Sequence, residues 1–148
     1  MNEYEINKNT LAIIPVNPDK TKIIEIDNEF MINNSSFKII DHSCRFFGSS
    51  YKGRKIGSFE IIGSNYKVPI IIEETLNIIF FPLTGIYKDT IWISLDQIKN
   101  YKRNNSGSKI IFKNDYEINL DISYGSLENQ ILRASLLDST LRKRRKMV

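Results

Sequence analysis

The chain holds one histidine and one cysteine, and they stand two residues apart in the run Asp41-His42-Ser43-Cys44. A thiolate beside an imidazole would be a nucleophile with its base, but closeness in sequence does not bring the two side chains together. Zinc asks for four good ligands, and one thiol with one imidazole does not supply them. The carboxylates are scattered, apart from Glu73-Glu74, which read as the charged end of a strand. The expectation is a protein that is not an enzyme, with no catalytic residue, no metal site and no cofactor.

A second constellation concerns phosphate. In Gly48-Ser49-Ser50-Tyr51-Lys52-Gly53-Arg54-Lys55 the two glycines have the separation of a nucleotide phosphate loop. That loop needs Lys and then Ser or Thr after the second glycine, followed by a helix. Here Arg54 and Lys55 follow, and the next segment reads as a strand, so nucleotide hydrolysis is not expected. The remaining physics suits a nucleic-acid backbone. Glycines let backbone N–H groups approach an anion, while Arg45, Lys52, Arg54, Lys55 and the hydroxyls of Ser49 and Ser50 add charge and hydrogen bonds. No acidic residue occurs from 43 to 59. The other basic concentration is Arg142, Lys143, Arg144, Arg145 and Lys146. The net charge is +4, and without those five residues the remainder is one charge negative, so the basicity sits in two places.

The elements that must position these residues are mostly strands. A chain of 148 residues, 41% hydrophobic and 26% charged, suits one globular domain, expected over 1–141 with a fraying basic tail at 142–148. Its apolar runs are far shorter than a membrane span, its first residues lack a secretory signal, and one cysteine fits a reducing compartment. The expected location is the cytoplasm. Ile-rich segments bounded by Asn, Asp, Gly and Pro predict strands at 11–16, 22–27, 37–40, 58–62, 67–72, 78–82 and 91–94. Segments 109–113 and 116–122 flank Asn114-Asp115 as a hairpin. Ser94-Leu95-Asp96-Gln97 matches a helix capping box, although Trp92, Ser94, Ile98 and Tyr101 suit a strand equally. Leu127, Ile131, Ala134, Leu137 and Leu141 share one helical face, which predicts an amphipathic helix capped by Ser126. Phe46 and Phe47 are expected in the core. The predicted fold is mainly β (α+β), short-stranded and closed by a C-terminal helix.

Residues 41–57 read D-H-S-C-R-F-F-G-S-S-Y-K-G-R-K-I-G. This resembles the D-R-S-C-R-F-F-G-S-S-Y-x-G-R-K-x-G signature of the ComK competence transcription factors. Asn77 to Pro82, Trp92-Ile93-Ser94 and Ile122 to Gln130 agree in order with further family blocks, so the resemblance covers nearly the whole chain. It implies a transcriptional activator of DNA-uptake genes that binds paired A/T-rich boxes of double-stranded DNA through the minor groove. It also implies a homo-oligomer associated with the nucleoid. Minor-groove readers insert arginine into a narrow, negative A/T groove, which makes Arg45 and Arg54 the candidate readers. On this basis Arg54→Ala is expected to erode A/T preference, and loss of 142–148 to weaken all duplex binding alike.

Two departures stand out. His42 replaces an arginine of the signature, which predicts lower DNA affinity. Better-known members also continue beyond the last helix with a tail that an adaptor protein recognises to deliver them to an ATP-dependent protease. The present sequence stops at Val148, which puts that control in doubt. The alternative function is a short paralogue that hetero-oligomerises with a full-length activator and modulates it. A third reading has Phe46, Phe47 and Tyr51 stacking on unpaired RNA bases.

Overall fold

In the computed structural model, which describes residues 2–83, 90–105 and 107–148, the predicted mainly β, α+β fold is present. Strands β1 (Thr10–Asn17), β2 (Lys20–Glu25) and β3 (Glu29–Ile32) form a meander. Helices α1 (Ser36–Phe46) and α2 (Tyr51–Ile62) follow, and then β4 (Ile70–Glu73), β5 (Ile78–Leu83) and β6 (Ile91–Ser94). Together the six strands make one antiparallel sheet in the order β3-β2-β1-β6-β5-β4. A second antiparallel sheet contains β7 (Ile98–Arg103), β8 (Ser108–Phe112) and β9 (Glu117–Leu120), and α3 (Tyr124–Arg145) closes the chain.

The large sheet is covered on both faces, which is why β5 is apolar without alternation and buried throughout. Ile78 and Phe80 join Ile13, Ile23, Ile70 and Trp92 against Ile39, Ile40 and Cys44 of α1. On the opposite face, Ile79, Phe81 and Leu83 meet Ile110 and Phe112 of the small sheet and Leu127, Ile131, Ala134 and Leu137 of α3. Gln130 fastens α3 to the large sheet by donating to the carbonyls of Lys67 (2.9 Å) and Pro82 (2.8 Å).

Helix α2 bridges these two cores. Tyr51 at its start packs with the α1 side, while Ile61 and Ile62 at its end pack with the α3 side. It lies near β4, an edge strand of the large sheet.

The predicted strands at 37–40 and 58–62 are instead parts of α1 and α2. β-branched composition suggested strands, but Ser36, Ile39, Ile40, Ser43 and Cys44 repeat at helical spacing and are the buried face of α1. Ser35 caps this helix by accepting the Lys38 amide at 3.2 Å. Strand β3 was not predicted. The capping box at Ser94 forms no helix: β6 ends there, residues 95–97 turn, and Ile98 opens β7. Trp92 and Ser94 thus stand in one sheet and Ile98 and Tyr101 in the other. For α3 the predicted core face is correct, but the cap is Ser123, which accepts the Ser126 amide at 3.1 Å. The helix also runs through Arg145, so the basic run forms its last turns.

Candidate nucleic-acid interface

The acid-free segment folds as an elbow between α1 and α2. Gly48 adopts φ +89°, a left-handed conformation that side-chain-bearing residues rarely take. Its amide donates to Arg45 O (3.1 Å) and that of Ser49 to Cys44 O (2.9 Å), the two bonds of a Schellman ending. Ser50 then caps α2, its hydroxyl accepting the Gly53 amide at 3.0 Å and its carbonyl the Arg54 amide at 3.0 Å. The Asp41 carboxylate spans the elbow, accepting from the Tyr51 amide (2.9 Å) and from Arg45 Nε (2.9 Å).

These bonds correct the phosphate-loop picture. The amides of residues 48, 49, 51, 53 and 54 already have acceptors within the chain, because two helix ends meet across a four-residue turn and their orphan groups must be satisfied there. The segment that follows is helix α2 and not the expected strand, while the element before the turn, α1, is a helix where a phosphate loop has a strand. Gly53 makes room for hydroxyls, since a Cβ there would lie 3.0 Å from Ser49 Oγ. Most of the backbone donors here are thus taken, which leaves side chains as the main means of recognising an anion at this elbow.

Those side chains divide by orientation. Arg45 has 66% of its side chain exposed despite its Asp41 contact, and Lys52 is exposed. Lys55 is partly exposed, with Nζ 6.0 Å above the Tyr51 ring, and Ser49 is partly exposed. Arg54 points the other way. It lies in the first turn of α2 rather than in a loop, only 12% exposed, and its guanidinium pairs with the Glu74 carboxylate. Its Nε is buried with no hydrogen-bond partner.

The C-terminal basic residues are all exposed, but two of them are also tied into the fold. Arg142 pairs with Asp138 one turn earlier (3.1 Å), and Arg145 donates to the Asn77 side chain, which itself donates to Asp138. Asn77 holds φ +55° in the β4–β5 turn. Lys143, Arg144 and Lys146 are exposed. Glu74 and Asn77 belong to the same turn, so Arg54 and the end of α3 are tethered to one place. Two basic patches far apart in the sequence thus share an anchor.

Cys44 and His42 are both engaged within the fold. Burial pushes the Cys44 thiol up to about 12, despite the opposing pull of Arg54, so it is no nucleophile at neutral pH. His42 Nε2 lies 2.7 Å from Glu5 Oε2, so the histidine that departs from the family signature is engaged by the N-terminal segment. Among the described residues, no group of three His, Cys, Asp or Glu side chains could hold a metal ion, and no helix is long and apolar enough to cross a membrane.

From sequence, Asp41, Asn77 and Asp138 carry no assigned role, and Glu74 reads only as the charged end of a strand. The Asp41–Arg45 and Asp138–Arg142 pairs carry the four-residue spacing of helical ion pairs and were findable. Nothing local marks the partners of Glu74 and Asn77, which lie 20 and 68 positions away. Burial raises the Asp41 carboxyl, but the Tyr51 amide and the Arg45 guanidinium outweigh it and hold the group below the usual carboxylate range. Its charged form therefore stabilises the elbow above the unfolded pKa of about 4, and that contribution fades as pH falls through the lower folded value. Between about pH 5 and pH 2, the thermal midpoint of the parent chain should fall more steeply than that of Asp41→Asn. Parallel curves would show that the elbow does not depend on this charge.

Sequence comparison with known proteins identifies a family that spans nearly the whole chain. The family model described as ComK protein matches residues 1–146. The chain is 37% identical over 149 aligned residues to the "Competence transcription factor" of Bacillus subtilis (strain 168), covering 97% of this chain and 78% of that relative. No solved structure matches.

Proposed function

The chain belongs to the ComK protein family, and from that premise we propose that it activates transcription of competence genes by binding A/T-rich double-stranded DNA through the minor groove. The observation that carries the reading is the shared anchoring of the elbow and the α3 terminus at the β4–β5 turn. It supports a single basic surface rather than two unrelated patches. In this assignment Arg45, Ser49, Lys52, Lys55, Lys143, Arg144 and Lys146 face the duplex. Ser50, Arg54, Arg142 and Arg145 hold the elements that present them. Paired boxes would be met by paired copies of the chain, a homo-oligomer on nucleoid DNA in the cytoplasm.

The test is a binding titration on A/T-rich and mixed duplexes across salt concentrations. Four phosphate contacts would give a log–log slope near −3.6. The six cations assigned to the duplex raise the expected value to about −5.4, at roughly −0.9 per contact. An A/T-specific minor-groove drug should displace the protein. Salt-insensitive binding, or indifference to the drug, would overturn the proposal.

A further inference from the structure

The structure departs from the sequence-based expectation at two large apolar residues. Phe46 is 61% exposed and Phe47 36% exposed, and neither belongs to either core. Phe47 continues the inward spacing of Ser43 and Cys44, but α1 ends at Phe46 and the chain turns there, so both rings stay outside the cores at the elbow. Their rings meet edge to face with centroids 5.1 Å apart. The backbone beneath them is held by the Gly48 and Ser49 amide bonds on one side and the Asp41 carboxylate on the other. A paired aromatic edge on a pinned turn has little conformational freedom to lose on insertion.

The surroundings identify what such an edge would enter. Exposed Arg45 and Lys52 flank the rings in sequence, and no carboxylate occurs between residues 43 and 59. An apolar tip bordered by cations complements an apolar surface bordered by anions. A base step between two phosphate strands has that pattern, and minor-groove proteins commonly drive apolar side chains into such steps, unstacking and kinking the duplex. Pyrimidine–purine steps open most easily, and in A/T-rich DNA the step of that kind is TA. Resting on the DNA-binding reading above, we infer that Phe46 and Phe47 form a wedge that inserts at a TA step from the minor groove, kinking the duplex against the basic surface.

The experiment uses an A/T-rich duplex with 2-aminopurine at a central TA step and fluorophores at its ends. The parent chain should raise the 2-aminopurine emission and shorten the end-to-end distance. Phe46→Ala with Phe47→Ala should abolish both signals and weaken binding about tenfold, within the range of one lost aromatic–base contact, while leaving the salt slope unchanged. Phe46→Leu, which retains an apolar wedge, should keep most of the kink. A mismatch at the step, already unstacked, should restore much of the lost affinity of the double variant. Because both rings are largely outside the cores, circular dichroism should be unchanged. If the parent chain binds without unstacking, or the double variant kinks DNA as well as the parent, the wedge is refuted while the DNA-binding reading stands. If the double variant changes only sedimentation, the rings are a contact between copies and the wedge is likewise refuted. Failure of the parent chain to bind duplex at all would remove both readings.

Discussion

Arg45→Ala is expected to weaken binding to A/T-rich duplex by about 1–3 kcal/mol and to shrink the preference for A/T-rich over mixed DNA, with little change in thermal stability. The Arg45 guanidinium reaches solvent from the last turn of α1, and its contact with Asp41 leaves most of the side chain uncovered. A fixed, outward arginine beside a rigid turn can follow the width of a narrow groove. Arg54→Ala should behave differently. Its side chain is largely buried while its partner Glu74 is exposed, so its loss should lower folding stability by about 1 kcal/mol, the upper end for a pair open to solvent on one side. Binding should then decline only as far as the elbow loosens. Urea unfolding and duplex titration of both variants separate the roles. If Arg54→Ala folds normally yet loses A/T preference, while Arg45→Ala keeps it, the reading arginine is Arg54 and the orientation assigned to it is wrong in the bound protein.

The second large effect is expected at the end of α3. Replacing Lys143, Arg144 and Lys146 together by glutamine should flatten the salt slope by about 2.7, three contacts at roughly 0.9 each, and lower affinity for all duplexes alike. Stability should hardly change, because these side chains are exposed. Arg142→Ala with Arg145→Ala should instead lower the thermal midpoint, because it removes the links to Asp138 and Asn77 that hold the helix end to the β4–β5 turn. A triple-glutamine variant with an unchanged slope would take the α3 terminus out of the interface.

Much of this was open to inspection before any fold was known. Strands β1, β2, β4, β5 and β6, the hairpin of β8 and β9, and the inward face of α3 follow from apolar runs, turn residues and a change of period, which are local signals. The basic segment at 45–55 and the cluster at 142–146 are plain from charge alone. The misread segments are equally instructive. In α1, isoleucines drew attention to strand propensity while serines at 36 and 43, both buried, disguised a helical face. In α2, Ile56 and Phe59 are exposed and only Ser58 is fully buried, so hydrophobicity says little about which side faces inward.

Composition and short-range pattern were thus enough to establish a β-rich chain with two cationic regions and a terminal helix, because strand period, turn chemistry and charge are properties of neighbouring residues. Which cations face outward depended on packing across the chain. Arg54 is turned inward by a carboxylate 20 positions away, and Arg145 is held by an amide 68 positions away. The same holds for Phe46 and Phe47. Hydrophobicity favours burial of phenylalanine wherever a partner surface exists, but α1 ends and the chain turns before either ring can reach one. Side-chain direction at a helix end is set by what the helix packs on, and that surface is assembled from strands distant in sequence.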